Sequence, residues 1–350
     1  MISYFGFDSK FIDNENIISK LNLLFQLERI DTYAAAGTLQ ERIQISLQYI
    51  EKEYRQYVLA LFANTIYFPN AFSKSVLQHL LNSLLFKYEI DWKNLGEKCL
   101  ILEQDPTGII NEFLRINHVH GRLDKETFQR TQQVSAFVKT AYMNLENKDA
   151  DKDNQIENVM KFLDREYWII LVDNSLSGTS LCSDLERLIT LSNETGKKPK
   201  KIFLLIRTLT KMAQNVINEK FVQATHDNIL EIEYGLFLDE RFVINAELDR
   251  RNKCVLFNDR ETYAGVVEAC KWLVSRSEYR DDPLLKDHKK NSGGDETMMF
   301  GFKNCGITFV SSENCPSDSL PLLWYSKNDF YMSPFPRVLS RIGGKSDEQQ

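Results

Sequence analysis

Four short apolar runs separated by helix-like stretches constrain the fold more than any other feature of this chain. They are Lys98-Cys-Leu-Ile-Leu-Glu103, Tyr167-Trp-Ile-Ile-Leu-Val172, Lys201-Ile-Phe-Leu-Leu-Ile206 and the segment 229–238. The first three are apolar on consecutive positions rather than on alternate ones. A strand with that pattern is buried on both faces, which is the signature of a parallel sheet covered by helices. The intervening segments carry helical spacing: Leu181, Leu185, Leu188 and Ile189 in one, residues 209–222 in the next. The expected fold is therefore α/β, a doubly wound and mostly parallel sheet.

The region before the sheet reads as helical. Residues 13–30 carry Ile17, Ile18, Leu21, Leu24, Phe25 and Leu27 at helical spacing. Thr38-Leu-Gln-Glu41 has the form of a capping box, and Ile43, Leu47, Ile50, Tyr54, Tyr57 and Leu61 follow on one stripe. Ser73 is placed to cap a further helix, in which His79 sits among leucines as a packing residue. Another helix is expected over 124–145, capped by Asp124. The charged stretch 146–157 and the polar stretch 276–297 are expected to be loops. The expected division is a helical region over 1–94, an α/β domain over 95–340 and a polar tail over 341–350. With about 150 residues per domain as a guide, 350 residues suit two structural units.

Composition excludes several classes. Lys and Arg number 43 against 49 Asp and Glu, a net charge of −6, so the chain does not coat nucleic acid by charge alone. Six cysteines (Cys99, Cys182, Cys254, Cys270, Cys305, Cys315) contain no C-x-x-C pair, which argues against structural zinc and a disulfide framework. Neither a secretory signal nor an uninterrupted apolar span of membrane length is visible, so a cytoplasmic protein without membrane contact is expected. No Gly-x-Ser-x-Gly elbow and no P-loop appear. His118 and His120 form a His-x-His pair without a third ligand, and Lys197, Lys198, Lys200 and Lys201 form a basic turn; both are read as surface turns.

The chemistry-bearing segment is Trp168-Ile-Ile-Leu-Val-Asp173-Asn174-Ser175-Leu176-Ser177-Gly178-Thr179-Ser180-Leu181. A buried strand delivers Asp173 to its carboxyl end, where ligands of open α/β sheets sit. A small, hydroxyl-rich turn then opens a helix, offering unpaired N–H groups and a favourable dipole to phosphate. An acid just ahead of that turn is repelled by phosphate and suits sugar hydroxyls instead. Acid followed by phosphate cradle points to a phosphorylated sugar.

This segment resembles the ribose-phosphate motif of the type I phosphoribosyltransferases: four apolar residues, two acids, a short spacer, then Thr/Ser-Gly-Thr/Ser. The resemblance implies that Asp173, with Asn174, meets the ribose hydroxyls of phosphoribosyl pyrophosphate. It implies that Ser175, Ser177, Gly178, Thr179 and Ser180 form the 5′-phosphate loop. Asn174 stands where the second acid is usual, and the spacer Ser175-Leu176 is one residue short. The pyrophosphate side is assigned from strand order to the loop after the first sheet strand, with Thr107 and Gly108, and to Arg207 at the end of the next strand. The plain alternative for Arg207 is a surface arginine. No metal site made of protein ligands alone is expected, and Mg²⁺ is expected to arrive on the substrate phosphates.

A second resemblance lies in Gly301-Phe-Lys-Asn-Cys-Gly306, Asn314-Cys-Pro-Ser-Asp-Ser-Leu-Pro-Leu-Leu-Trp324 and Ser333-Pro-Phe-Pro-Arg337. These are similar to the C-terminal signature of a phosphoribosyltransferase-like family of bacterial anti-phage systems, some of whose members accompany retron reverse transcriptases. The resemblance implies a toxic effector that transfers or hydrolyses phosphoribosyl groups. It also implies a cognate complex: a reverse transcriptase with its DNA–RNA product and a winged-helix protein. A non-catalytic nucleotide sensor and a partner-docking module on the same fold are the alternatives. A homo-oligomer is compatible with each.

Overall fold

The computed structural model describes residues 39–68, 70–91, 95–104, 109, 113, 115, 133–141, 159–245, 254–257, 259–286, 289–290, 298–311, 315–327 and 330–335. The chain forms two compact units, one of Met1–Asn70 with Asp239–Gln350 and one of Ala71–Leu238. These bounds differ from the 94/95 and 340/341 divisions expected from the sequence. The expected helices over 13–30 and the start of that over 124–145, the loop 146–157 and the His118/His120 pair lie outside the described residues.

In chain order the main elements are α1 (Leu39–Tyr49), α2 (Arg55–Ala63), β1 (Ile66–Phe68), α3 (Asn70–Lys87), β2 (Cys99–Glu103), β3 (Tyr167–Ser175), α4 (Thr179–Thr195), β4 (Lys201–Thr210), α5 (Lys211–Lys220), β5 (Leu230–Leu238), α6 (Arg260–Ser275), β6 (Phe309–Ser311), β7 (Ser326–Lys327) and β8 (Tyr331–Met332).

The unit of Ala71–Leu238 is built on one four-stranded parallel sheet, ordered β2-β3-β4-β5. The continuous apolar runs form its centre, because each residue meets a helix on whichever face it points to. Trp168, Ile170, Val172, Ile202, Leu204 and Ile206 face a layer made by α4, α5 and helical residues 133–141 and 159–163, sharing one core with Leu181, Leu185, Leu188 and Ile217. The alternate residues face α3, whose end brings the Tyr88 ring to 4.8 Å from that of Phe203. Both faces are covered, as expected for an α/β fold.

The other unit pairs β1 with β6 in parallel, Ile66 opposite Phe309, and β7 with β8 antiparallel. Gly265 of α6 lies so close to Tyr57 of α2 that a methyl group there would overlap the ring. The Gly301–Trp324 segment is structural in this unit. Gly306 has φ +63° and no room for a Cβ against the Ile244 carbonyl oxygen. Trp324 Nε1 donates to the Ser319 carbonyl at 2.8 Å, and Trp324, Tyr331 and Phe335 are fully buried.

Three local expectations are corrected. The stripe from 39 to 61 is two helices, because the chain turns at 51–54 and Arg55 Nε donates to the Ile50 carbonyl at 2.9 Å at the end of α1. His79 is exposed rather than packed. Within the stretch 276–297, expected as a loop, Ser277–Arg280 and Pro283–Leu285 are helical turns. Its polar residues are internal ligands, since Asp282 accepts from Tyr325 Oη at 2.8 Å and Lys289 Nζ donates to the Tyr279 carbonyl at 2.7 Å.

Candidate functional site

The site lies at the carboxyl edge of β3 and β4. Both strands outrun their apolar segments: β3 continues through Asp173, Asn174 and Ser175, and β4 through Arg207, Thr208, Leu209 and Thr210. Pairing holds on either side of the acid, Val172 with Ile206 and Asn174 with Thr208, so Asp173 and Arg207 stand opposite one another. Arg207 Nε donates to Asp173 Oδ1 at 2.7 Å, and Nη2 donates to the same oxygen. Nη1 donates to Ser73 Oγ on α3. The Arg207 side chain is 5% exposed and that of Asp173 18%. Among the described residues, nothing donates to Asp173 Oδ2. Among the described residues, the carboxylate is thus held by one oxygen only.

After β3 the chain enters the phosphate-type turn. Thr210 Oγ1 donates to the Leu176 carbonyl at 2.5 Å and accepts from Ala213 N at 3.0 Å, so one hydroxyl ties the turn to the start of α5. Gly178 adopts φ +77°, and a Cβ there would lie 3.1 Å from both Cα and the carbonyl oxygen of Ala213. Glycine is required by both conformation and space. Gly178 precedes α4 without a side-chain cap, and Thr179 and Ser180 are exposed in the first turn. An uncapped helix start leaves N–H donors for an anion, and the helix dipole favours negative charge there.

Among the described residues, three buried polar atoms of these strands have no hydrogen-bond partner: Asn174 Oδ1 and Thr208 Oγ1, which are paired in register, and Ser175 Oγ on the next residue of β3, which points to the other face. Buried groups of this kind are ordinarily paired.

The structure therefore gathers Asp173, Asn174, Ser175, Ser177, Gly178, Thr179, Ser180 and Arg207 at one sheet edge. Arg207 is buried rather than a surface arginine, and its guanidinium donates to Asp173 and Ser73. Thr107 and Gly108 lie outside the described residues. The strand before them ends at a shallow groove whose lining includes Leu102, Glu103, Gln104 and Asp184; its carboxylates do not suit an anion. Sequence reasoning missed Ser73, Thr208 and Thr210. Ser73 resembled a helix cap but lies inside α3, and the two threonines lie past the apolar run of β4. The basic turn is paired, Lys197 with Asp164, Lys200 with Glu166 and Lys201 with Glu231. Among the described residues, no group of three His, Cys, Asp or Glu side chains is placed to hold a metal.

A parallel sheet covered on both faces, with an acid and a hydroxyl-rich turn into a helix at its carboxyl edge, defines a phosphoribosyltransferase-like α/β protein. The family model PRTase-CE matches residues 47–337, and the chain belongs to that family. Neither a curated protein nor a solved structure matches it. Among the described residues, no helix is long and apolar enough to cross a membrane.

Proposed function

We propose that the carboxyl edge of β3 and β4 binds phosphoribosyl pyrophosphate, or a related ribose 5-phosphate ligand, and that the protein transfers or hydrolyses the phosphoribosyl group. The observation that carries this reading is Asp173, whose Oδ2 meets no donor among the described residues, just ahead of an uncapped helix start with exposed Thr179 and Ser180. Asp173 accepts from the ribose hydroxyls. Backbone N–H groups and hydroxyls of Ser177, Gly178, Thr179 and Ser180 hold the 5′-phosphate.

Holding the ligand at both ends fixes the ribose so that its C1–O bond is free to break. The electron pair leaves with pyrophosphate, and the acceptor or a water oxygen bonds to C1. The transition state is cationic at the ring, and the anionic carboxylate on the hydroxyl side stabilises it. Mg²⁺ carried by the substrate phosphates would neutralise the leaving pyrophosphate. The donor set suits that limited role, with one carboxylate at this edge and no three-ligand cluster among the described residues.

A second reading has its own observation. Asn174, where a second acid is usual, has its Oδ1 buried and unpartnered. The amide there, in place of a second carboxylate, favours a sensor that binds the nucleotide without turning it over. The effector role in anti-phage defence, with a reverse transcriptase complex as partner, rests on the resemblance of the Gly301–Arg337 segment.

Isothermal titration of the full chain with phosphoribosyl pyrophosphate and Mg²⁺ tests the reading. Binding is expected in the wild type, weakened at least about tenfold by Asp173→Ala through loss of a charge-assisted acceptor. A wild type that does not bind overturns it. Phosphorus NMR of the same mixture separates enzyme from sensor by the release of pyrophosphate. Co-expression with the neighbouring genes, followed by nucleotide profiling, tests the effector role.

A further inference from the structure

Resting on the ligand reading above, we propose that Arg207 is the positioning residue of the site: through Asp173 it selects ligands that carry free ribose hydroxyls. Arg207 is 4% exposed, so it does not reach a ligand in solvent. Its fork closes on one carboxylate oxygen through Nε and Nη2, while Nη1 is anchored to Ser73 on α3. A carboxylate held in this way cannot rotate, and its remaining oxygen keeps one direction. Asp173 thus acts as a fixed acceptor for hydroxyl donors.

The next strand explains how the anchor reaches Arg207. In register, Ile206 pairs with Tyr234 and Thr208 with Leu236, so Gly235 stands opposite Arg207 on β5. A Cβ at Gly235 would lie 2.0 Å from Val76 Cγ1 and 3.1 Å from the Arg207 carbonyl oxygen. The missing side chain admits α3 to the sheet, and Ser73 lies one helical turn before Val76. Gly235, Ser73, Arg207 and Asp173 form one chain of dependence that ends at Oδ2.

The test is a cycle of variants read with three probes by calorimetry: phosphoribosyl pyrophosphate with Mg²⁺, ribose 5-phosphate, and 2-deoxyribose 5-phosphate. Arg207→Met and Asp173→Asn are each expected to weaken binding of the two ribose ligands about tenfold or more. The double variant is expected to be no weaker than the weaker single one, because both remove the same acceptor. Against 2-deoxyribose 5-phosphate the loss in Arg207→Met should shrink severalfold. Arg207→Lys, which keeps the charge but not the fork, should restore part of the affinity.

Additive losses, or an equal loss with the deoxy sugar, overturn the proposal. A loss confined to the pyrophosphate ligand also overturns it, by making Arg207 a direct pyrophosphate contact. Thermal unfolding monitors each variant. Should Arg207→Met not fold, Ser73→Ala and Arg207→Lys carry the same comparison. A wild type that binds none of the three probes sinks the ligand reading and the proposal together; a wild type that binds with an additive cycle sinks the proposal alone.

Discussion

Gly235→Ala is a sharp test of how α3 is seated on the sheet. Its backbone is not in the left-handed region, so the new residue meets no conformational strain. The added methyl, however, would lie 2.0 Å from Val76 Cγ1 and 3.0 Å from Cγ2. Carbon atoms in contact prefer about 3.5–4.0 Å, so one side must retreat by roughly 1.5 Å. Valine on a helix has essentially one χ1 rotamer, which leaves movement of α3 itself. Overpacking of this kind costs about 1–3 kcal/mol, against which alanine recovers about 0.5–1 kcal/mol of strand entropy. The net loss is about 1–2 kcal/mol, or roughly 2–8 °C in Tm for a unit of this size. Val76→Ala alone should cost about 1–3 kcal/mol from lost burial. In the double variant the new methyl occupies the emptied space, so the combined cost should fall below the sum by about 1 kcal/mol or more. Urea unfolding followed by circular dichroism reads all four proteins. A Gly235→Ala protein as stable as the wild type, or strict additivity with Val76→Ala, would refute the packing argument.

Three further outcomes follow from other parts of the structure. Gly178→Ala forces a left-handed conformation at about 1–2 kcal/mol and crowds Ala213 at 3.1 Å, so it should lower Tm and weaken phosphoribosyl pyrophosphate binding; a variant with unchanged binding would show that the turn does not hold the phosphate. Burial by itself raises the Glu231 carboxyl, but hydrogen bonds from Lys87 and Tyr88 and the charges of Lys87 and Lys201 more than reverse this, leaving it below its ordinary value. Its native value being depressed, its stabilisation is present above the unfolded value of about 4.3 and is lost as pH falls through the native one, so the Tm gap between wild type and Glu231→Gln should hold near neutral pH and narrow as pH falls below about 4.3; a gap independent of pH refutes this. Cys254, the one cysteine that is not buried, should react first with a thiol reagent in the native protein. Cys99, its thiol pushed up to about 12 by burial, should react only on unfolding; mass spectrometry of partly labelled protein decides the order.

The apolar centres of the strands were legible because short consecutive apolar runs, bounded by helix-like stretches, suit strands buried on both faces. Cys99–Leu102, Trp168–Val172 and Ile202–Ile206 all lie where the runs placed them. The turn at Ser177–Ser180 was legible from glycine and hydroxyls between a strand and a helix. The carboxyl ends of the strands were not, since the hydrophobic signal stops at Val172 and Ile206 while the ladder continues through polar residues. Arg207 illustrates the reason. An arginine after an apolar run looks like a strand end reaching water, and only the register of a neighbouring strand supplies the acid that lets it stay buried. Ser73 failed in the same way: a hydroxyl near a helix start has a local use as a cap, and its actual partner is 134 positions away.

The pairing of Asp173 with Arg207 is hard to account for by stability. Removing two charges from water costs several kcal/mol per ion, and a buried pair commonly does no better than apolar residues of the same volume. Ile169, Leu171, Phe203 and Leu205 on the same face are buried and apolar, so a leucine pair at these two positions would suit the core. The chain instead places an acid there, buries an arginine to hold one of its oxygens, and commits a serine on a third element to hold the arginine. A pair needed only for neutrality would close both oxygens of the carboxylate. Among the described residues this one leaves Oδ2 unpartnered, at the edge of the sheet where a parallel α/β fold receives ligands. The asymmetry of that ion pair is therefore the structural reason to assign the carboxyl edge a binding role.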